Sequence, residues 1–184
     1  MNQKYHAGMK APDFRFDTPE GKSHSLFDSL KSGDTLLVFL RYVGCPICQM
    51  KIAELTRDFD QFKKRMVGLI VALQSEPETV KKVVGKNGLP FPIACDPNEE
   101  IFKLYGVLPG SIFRYITPRT ILSAVRSIAK GYRHGKYEGE ERQLPAVFLV
   151  GKDKKILYAY YGKNVADVPG NKALLKIVEK HSTK

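Results

Sequence analysis

Apolar residues in this 184-residue chain fall into runs of two kinds, and the spacing within each run predicts an element. Thr35-Leu-Leu-Val-Phe-Leu40 and Met66-Val-Gly-Leu-Ile-Val-Ala-Leu73 are continuous and suit buried strands. Between them Ile52, Leu55, Phe59 and Phe62 recur at spacings of three and four. This predicts a helix over 46–64, closed by the basic turn Lys63-Lys-Arg65. Ser75, with Glu78 in capping-box register, predicts a second helix to about Val84, stopped by Gly85-Lys-Asn-Gly88. Leu89-Pro-Phe-Pro-Ile-Ala94 reads as a short extended piece whose prolines suit an edge or an entry. Asp96-Pro-Asn98 caps a helix at roughly 98–105, ended by Gly106.

Farther on, Thr117 and Pro118 open a helix with Ile121, Leu122, Val125 and Ile128 on one apolar face and Lys130-Gly131 at its close. Residues 132–143 form a polar loop. Two strands follow, 145–150 and 156–160, joined by the turn 151–155, and a last helix covers about 171–180. Near the start, Phe14 and Phe16 alternate with polar neighbours as in a short strand, and 18–22 reads as a turn. Residues 23–27 are either its partner strand or the lead into a helical turn at 26–30. Alternating βαβ units imply parallel strands and the late close pair an antiparallel one. The expected fold is α/β: one mixed sheet with helices on both faces, an extra N-terminal β element and a helical insertion around 107–144. No repeat or linker divides the chain, so residues 1–184 are expected to form a single domain.

Three cysteines are too few for a secreted disulfide framework, which points to a reducing compartment. The first eight residues hold no apolar signal core, and no run of about 18 apolar residues occurs. A cytoplasmic location without a membrane partner is therefore expected. The net charge of +11 is spread along the chain, with no long basic run and no RNA-binding aromatic motif, so nucleic acid is not an expected partner. Arg114, Arg119, Arg126, Lys130 and Arg133 cluster in the insertion. They read as a solvated helix face, or as the receiver of an acidic substrate such as a lipid hydroperoxide.

The candidate chemistry lies in Arg41-Tyr-Val-Gly-Cys45-Pro-Ile-Cys48, where a core strand turns into a helix. Pro46 fits the first helical position, which puts Cys45 at the cap and Cys48 in the first turn. Unpaired N–H groups and the positive end of the helix dipole favour a thiolate there. Two other readings are a buried structural pair and half of a zinc site. Zinc needs about four ligands, and His6, His24, His134, His181 and Cys95 are scattered, so no metal is expected. Arg41 either lowers the thiolate pKa or points to solvent, and Tyr42 either donates a hydrogen bond at the site or simply packs. Cys95 is either a small buried residue at a strand end or an extra resolving thiol.

Together these residues resemble the peroxiredoxin (AhpC/TSA) family of the thioredoxin-like fold. Ala11-Pro-Asp-Phe14 is similar to its N-terminal signature, and Cys95-Asp-Pro-Asn98 through Tyr105-Gly106 to its later Asp…Tyr-Gly segment. The segment from Phe39 to Cys48, the insertion, and the stretch from Val165 to Leu175 resemble the subgroup that includes prostamide/prostaglandin F synthase. Where typical members place Thr or Ser three residues before the peroxide-attacking cysteine, this chain has Tyr42. Where they place an arginine before the following strand, it has Pro145, with Arg142 three residues earlier. Pro145 instead resembles the cis-proline that flanks the disulfide in thioredoxin-like proteins.

The resemblance implies a thiol-dependent oxidoreductase. Cys45, expected to be the more exposed of the pair, attacks a small hydroperoxide or disulfide, and Cys48 resolves the product. A thioredoxin- or glutathione-type partner restores the dithiol, and no cofactor is expected. Arg41, Tyr42 and Pro145 are the expected substrate contacts. A protein thiol–disulfide oxidoreductase and a non-catalytic redox sensor are the alternatives; a thioredoxin-like Trp would favour the first, and the chain has no Trp.

Overall fold

In the computed structural model the two longest apolar runs become neighbouring strands at the middle of one sheet; residues 3–85 and 88–182 are described, apart from the side chain of Tyr115. The strands are β1 (Arg15–Asp17), β2 (Ser23–Ser25), β3 (Asp34–Phe39), β4 (Val67–Leu73), β5 (Ile93–Cys95), β6 (Ala146–Val150) and β7 (Ile156–Tyr161). They align in the order β2-β1-β5-β4-β3-β6-β7. β4 runs parallel to both β3 and β5, and the other pairings are antiparallel, as expected for a mixed sheet.

A continuous apolar strand must feed two cores, because successive side chains point to opposite faces. In β3, Leu36 and Val38 join the layer beneath α2 (Pro46–Lys63), α3 (Pro77–Val84) and α7 (Asn171–His181). Leu37 and Phe39 join the other layer, with α1 (Leu26–Ser29) and α4 (Glu100–Leu104). Phe39 anchors that second layer, meeting Phe102 edge-on at 5.0 Å and Phe148 at 5.7 Å between ring centres.

Local differences have physical reasons. The helix expected to start at Ser75 starts at Pro77 with Glu76 as its cap. The Ser75 hydroxyl instead accepts the Val43 N–H at 2.9 Å, tying the exit of β4 to the loop before Cys45. Met66 is a left-handed turn residue (φ 56°) rather than the first residue of β4. The extended piece at 89–94 shortens to β5, because Pro90 and Pro92 have no N–H for the ladder. Gly85 ends α3; Lys86 and Asn87 of the expected stop lie outside the described residues. Residues 23–27 satisfy both readings, since β2 ends at Ser25 and the Ser25 side chain caps α1. The Asp96 carboxylate accepts the N–H groups of Glu100, Ile101 and Phe102 at 2.8–3.1 Å, which fixes the start of α4.

The insertion forms α5 (Ile112–Tyr115) and α6 (Pro118–Ala129), the latter capped by the Thr117 hydroxyl on the Thr120 N–H. Among the described residues, none between 108 and 145 belongs to either core layer. α6 rests on α2 with Thr120 and Ser127 buried, while Ile121, Leu122, Val125 and Ile128 stand in solvent. The polar loop 132–142 then crosses the start of α2 as a strap. Gly135 N–H donates to Gly44 O at 2.8 Å, Gln49 Nε2 to Arg133 O at 3.1 Å, and Glu140 N–H to Gln74 Oε1 at 2.9 Å.

Candidate active site

β3 delivers the chain to Arg41 and Tyr42, and α2 begins at Pro46 with Cys45 as its cap residue in extended conformation. Pro46 has no N–H to lose at this position, and its fixed φ is already helical. Cys48 therefore falls in the first turn. Both sulfurs are free thiols and both are buried. The expectation that Cys45 is the more exposed is overturned: it is 0% accessible and Cys48 3%. Beside it the strap presses so closely that a Cβ on Gly44 would overlap the Lys136 carbonyl.

Arg41 does not point to solvent. It is buried, its Nη2 donates to Cys45 Sγ at 2.8 Å, and its Nη1 donates to Glu141 O at 2.8 Å. The Glu141 carboxylate lies 3.6 Å from the same guanidinium and holds it in place. The Cys45 pKa is held below that of an ordinary thiol. A hydrogen bond from the Cys48 thiol contributes most, and the Arg41 charge adds to it against the cost of burial. Cys48 moves up for the reciprocal reasons: its proton is held by Cys45 and burial disfavours a second anion. The pair therefore favours the negative charge on Cys45 and the proton on Cys48.

Tyr42 is fully buried, and its hydroxyl donates to the Glu141 carboxylate and lies 3.1 Å from His134 Nε2. Burial, then that carboxylate, push its pKa far above the ordinary phenol value, so it stays protonated. Its hydroxyl is thus committed to the strap. Pro145 sits at the entry of β6, and every peptide bond among the described residues is trans. This corrects the cis-proline likeness. Its carbonyl accepts the Gly162 N–H at 2.8 Å, so a trans Pro145 simply extends the β6–β7 ladder.

Pro145 and Arg41 meet again in a cleft of about 350 Å³ that reaches Cys48, with Lys51, Arg119 and Arg126 on its other walls. Lys51 is buried, donates to Pro169 O at 2.7 Å and Asn171 Oδ1 at 2.9 Å, and is pulled down to about 8 by burial. Its place was visible in the sequence, since it lies on the buried stripe of α2 next to Ile52 and Leu55. Glu141 and His134 carried no such signal, lying roughly a hundred residues from the cysteines with no motif of their own. Cys95 stands apart in β5, and its thiol is pushed up to about 12 by burial and then by the charges of Glu20, Glu138, Glu76 and Asp17. That disfavours it as a resolving thiolate. No cluster of His, Cys, Asp and Glu suited to a metal ion occurs among the described residues.

Known proteins resemble this chain over part of its length or in fold. Thiol-disulfide oxidoreductase ResA of Halalkalibacterium halodurans is 32% identical over 106 residues, covering 56% of this chain and 58% of that protein. Peroxiredoxin 2 of Picrophilus torridus is 34% identical over 109 residues, covering 56% of this chain and 53% of its own. The chain thus spans little more than half the length of these curated relatives. Among solved structures, peroxidoxin BcpB from Mycobacterium tuberculosis superposes with a TM-score of 0.70 over 95% of this chain and 97% of that one. At 14% identity this is a likeness of fold. The profile of the AhpC/TSA family matches residues 7–159, which take in β1 to β6, most of β7, both cysteines and the strap, and the chain belongs to that family.

Proposed function

We propose that this chain is a thiol-dependent oxidoreductase that reduces hydroperoxides through a Cys45–Cys48 dithiol/disulfide cycle. One observation carries the reading: a buried guanidinium 2.8 Å from the cap sulfur, with a second thiol in the first turn of the same helix. The Cys45 thiolate attacks the distal oxygen of the hydroperoxide. The O–O bond breaks, the alkoxide leaves and takes a proton from solvent, and Cys45 becomes a sulfenic acid. Cys48 then attacks the Cys45 sulfur; hydroxide leaves with the Cys48 proton as water, and the disulfide closes. A dithiol of thioredoxin type, or two glutathione-type thiols, returns both sulfurs to the reduced state. Arg41 holds the thiolate and the charge that develops on the departing oxygen. Pro145 forms an apolar wall, and Tyr42 positions the strap through Glu141.

A specific observation favours a second reading. The Tyr42 hydroxyl is occupied by Glu141 and His134, and Pro145 stands where the resembled family places an arginine, so neither position offers a donor to an O–O substrate. A disulfide needs no such donors, and thiol–disulfide exchange by the same pair fits the oxidoreductase relative. Stopped-flow oxidation of the reduced protein by hydrogen peroxide, an organic hydroperoxide and a small disulfide separates the two. Cys45→Ser is expected to abolish reaction, and Cys48→Ser to stop at a sulfenic acid or mixed disulfide visible by mass. Oxidation by the disulfide alone would transfer the proposal to the second reading. Equal turnover in both variants would defeat both.

A further inference from the structure

The insertion breaks the rule that an amphipathic helix turns its apolar side inward. α6 buries Thr120 and Ser127 and exposes Ile121, Val125 and Ile128, which lie one turn apart on one stripe. α5 adds Phe113, 84% accessible, the most exposed large apolar side chain among the described residues. Around this stripe the charge has one sign. Between Glu100 and Glu138 the sequence holds no acidic residue, while Arg114, Arg119, Arg126, Lys130 and Arg133 fall on or beside the two helices. Arg119 is paired with Asp167 at 2.6 Å and Lys130 lies 3.8 Å from Glu54. Arg114, Arg126 and Arg133 have no carboxylate partner among the described residues.

We propose that the α5–α6 face docks on the surface of a bilayer containing anionic phospholipid. Phe113, Ile121, Val125 and Ile128 enter the headgroup boundary, and the flanking arginines lie against lipid phosphates. An apolar stripe bordered by long cationic side chains suits such an interface, because the aliphatic stems cover apolar surface while the charges reach the phosphates. A second copy of this chain is disfavoured by charge, since the same face would bring the cations without a carboxylate partner, Arg114, Arg126 and Arg133, against their like. The early expectation of no membrane partner rested on the lack of a spanning segment. Among the described residues no helix is long and apolar enough to cross a membrane, and a surface-lying helix needs none. Arg119, Leu122 and Arg126 also line the cleft that reaches Cys48, so docking brings its mouth to the bilayer. The inference stands independently of the redox reading.

Flotation of the full chain with vesicles tests it, using phosphatidylcholine alone and phosphatidylcholine with about one quarter phosphatidylglycerol. Binding is expected to the second only, weakening as salt screens the arginines. Phe113→Ser with Val125→Gln should weaken it about tenfold or more by removing inserted apolar surface. The circular dichroism should not change, and Met66→Ser, at an exposed apolar site elsewhere, should leave binding intact. Absence of binding, or equal binding by the double variant, would overturn the proposal, the latter as plain adsorption of a basic protein. Affinity for polyglutamate matching that for the vesicles would assign the face to an acidic protein instead. A dimer by light scattering that the double variant dissociates would assign it to a second copy.

Discussion

At Cys45 two side chains, first the Cys48 thiol and then the Arg41 guanidinium, set the ionisation of the site. Arg41 and Cys48 both favour the anion, burial opposes it, and the balance falls below an ordinary thiol. The sign of a test follows directly. Removing a cation beside a thiolate destabilises the charged form, so Arg41→Met should raise the Cys45 pKa toward the ordinary value of about 8.5. Thiolate absorbance of the reduced protein, followed against pH, checks this. A Cys45 titration unchanged in the variant would show that the guanidinium has no electrostatic effect there. Below the native Cys45 pKa the thiol is protonated, so reaction with any electrophile should fall as pH drops through that value and level off above it. The sequence placed Arg41 four residues before Cys45, but whether it faced the sulfur or water was open, because strand-end side chains do either.

The strap borders the site. Cys45 has no accessible surface and reacts only when its surroundings move, and residues 132–142 lie against its neighbour Gly44. The strap is held by Gly135 to Gly44, Gln49 to Arg133, Gln74 to Glu140, Tyr42 and Arg41 to Glu141, and the Tyr42 ring against His134 and Tyr137. Gly44→Ala would place a methyl group against the Lys136 carbonyl and push the strap away. Alkylation of Cys45 by a small iodoacetamide-type reagent should then rise about tenfold or more, since about 1.4 kcal/mol of lost closure is a factor of ten. Unchanged alkylation would mean that access runs through the Cys48 cleft instead. The loop's polar composition was plain in the sequence, but its path across the helix start was not, because its anchors lie far apart along the chain.

The molecule as a whole rests on two core layers that share one sheet, with Cys45 and Cys48 in the first and the second as its footing. Phe39 is wholly buried among Phe102, Tyr105 and Phe148, two residues before Arg41. Phe39→Ala should lower stability by about 3–5 kcal/mol, readable as a lower urea midpoint with little change in slope. A loss under about 1 kcal/mol would mean that the layer collapses to fill the gap. The strands, the helices behind them, and the placing of Cys45 and Cys48 at a strand-to-helix turn followed from sequence alone. Those features depend on periodicity, caps and proline chemistry, which act over a few residues. The arrival of Glu141 and His134 beside Tyr42, the sealing of Cys45 and the outward apolar face of α6 did not. Each is set by contacts between segments far apart in the chain, and no local spacing encodes which distant surface a loop or helix will meet.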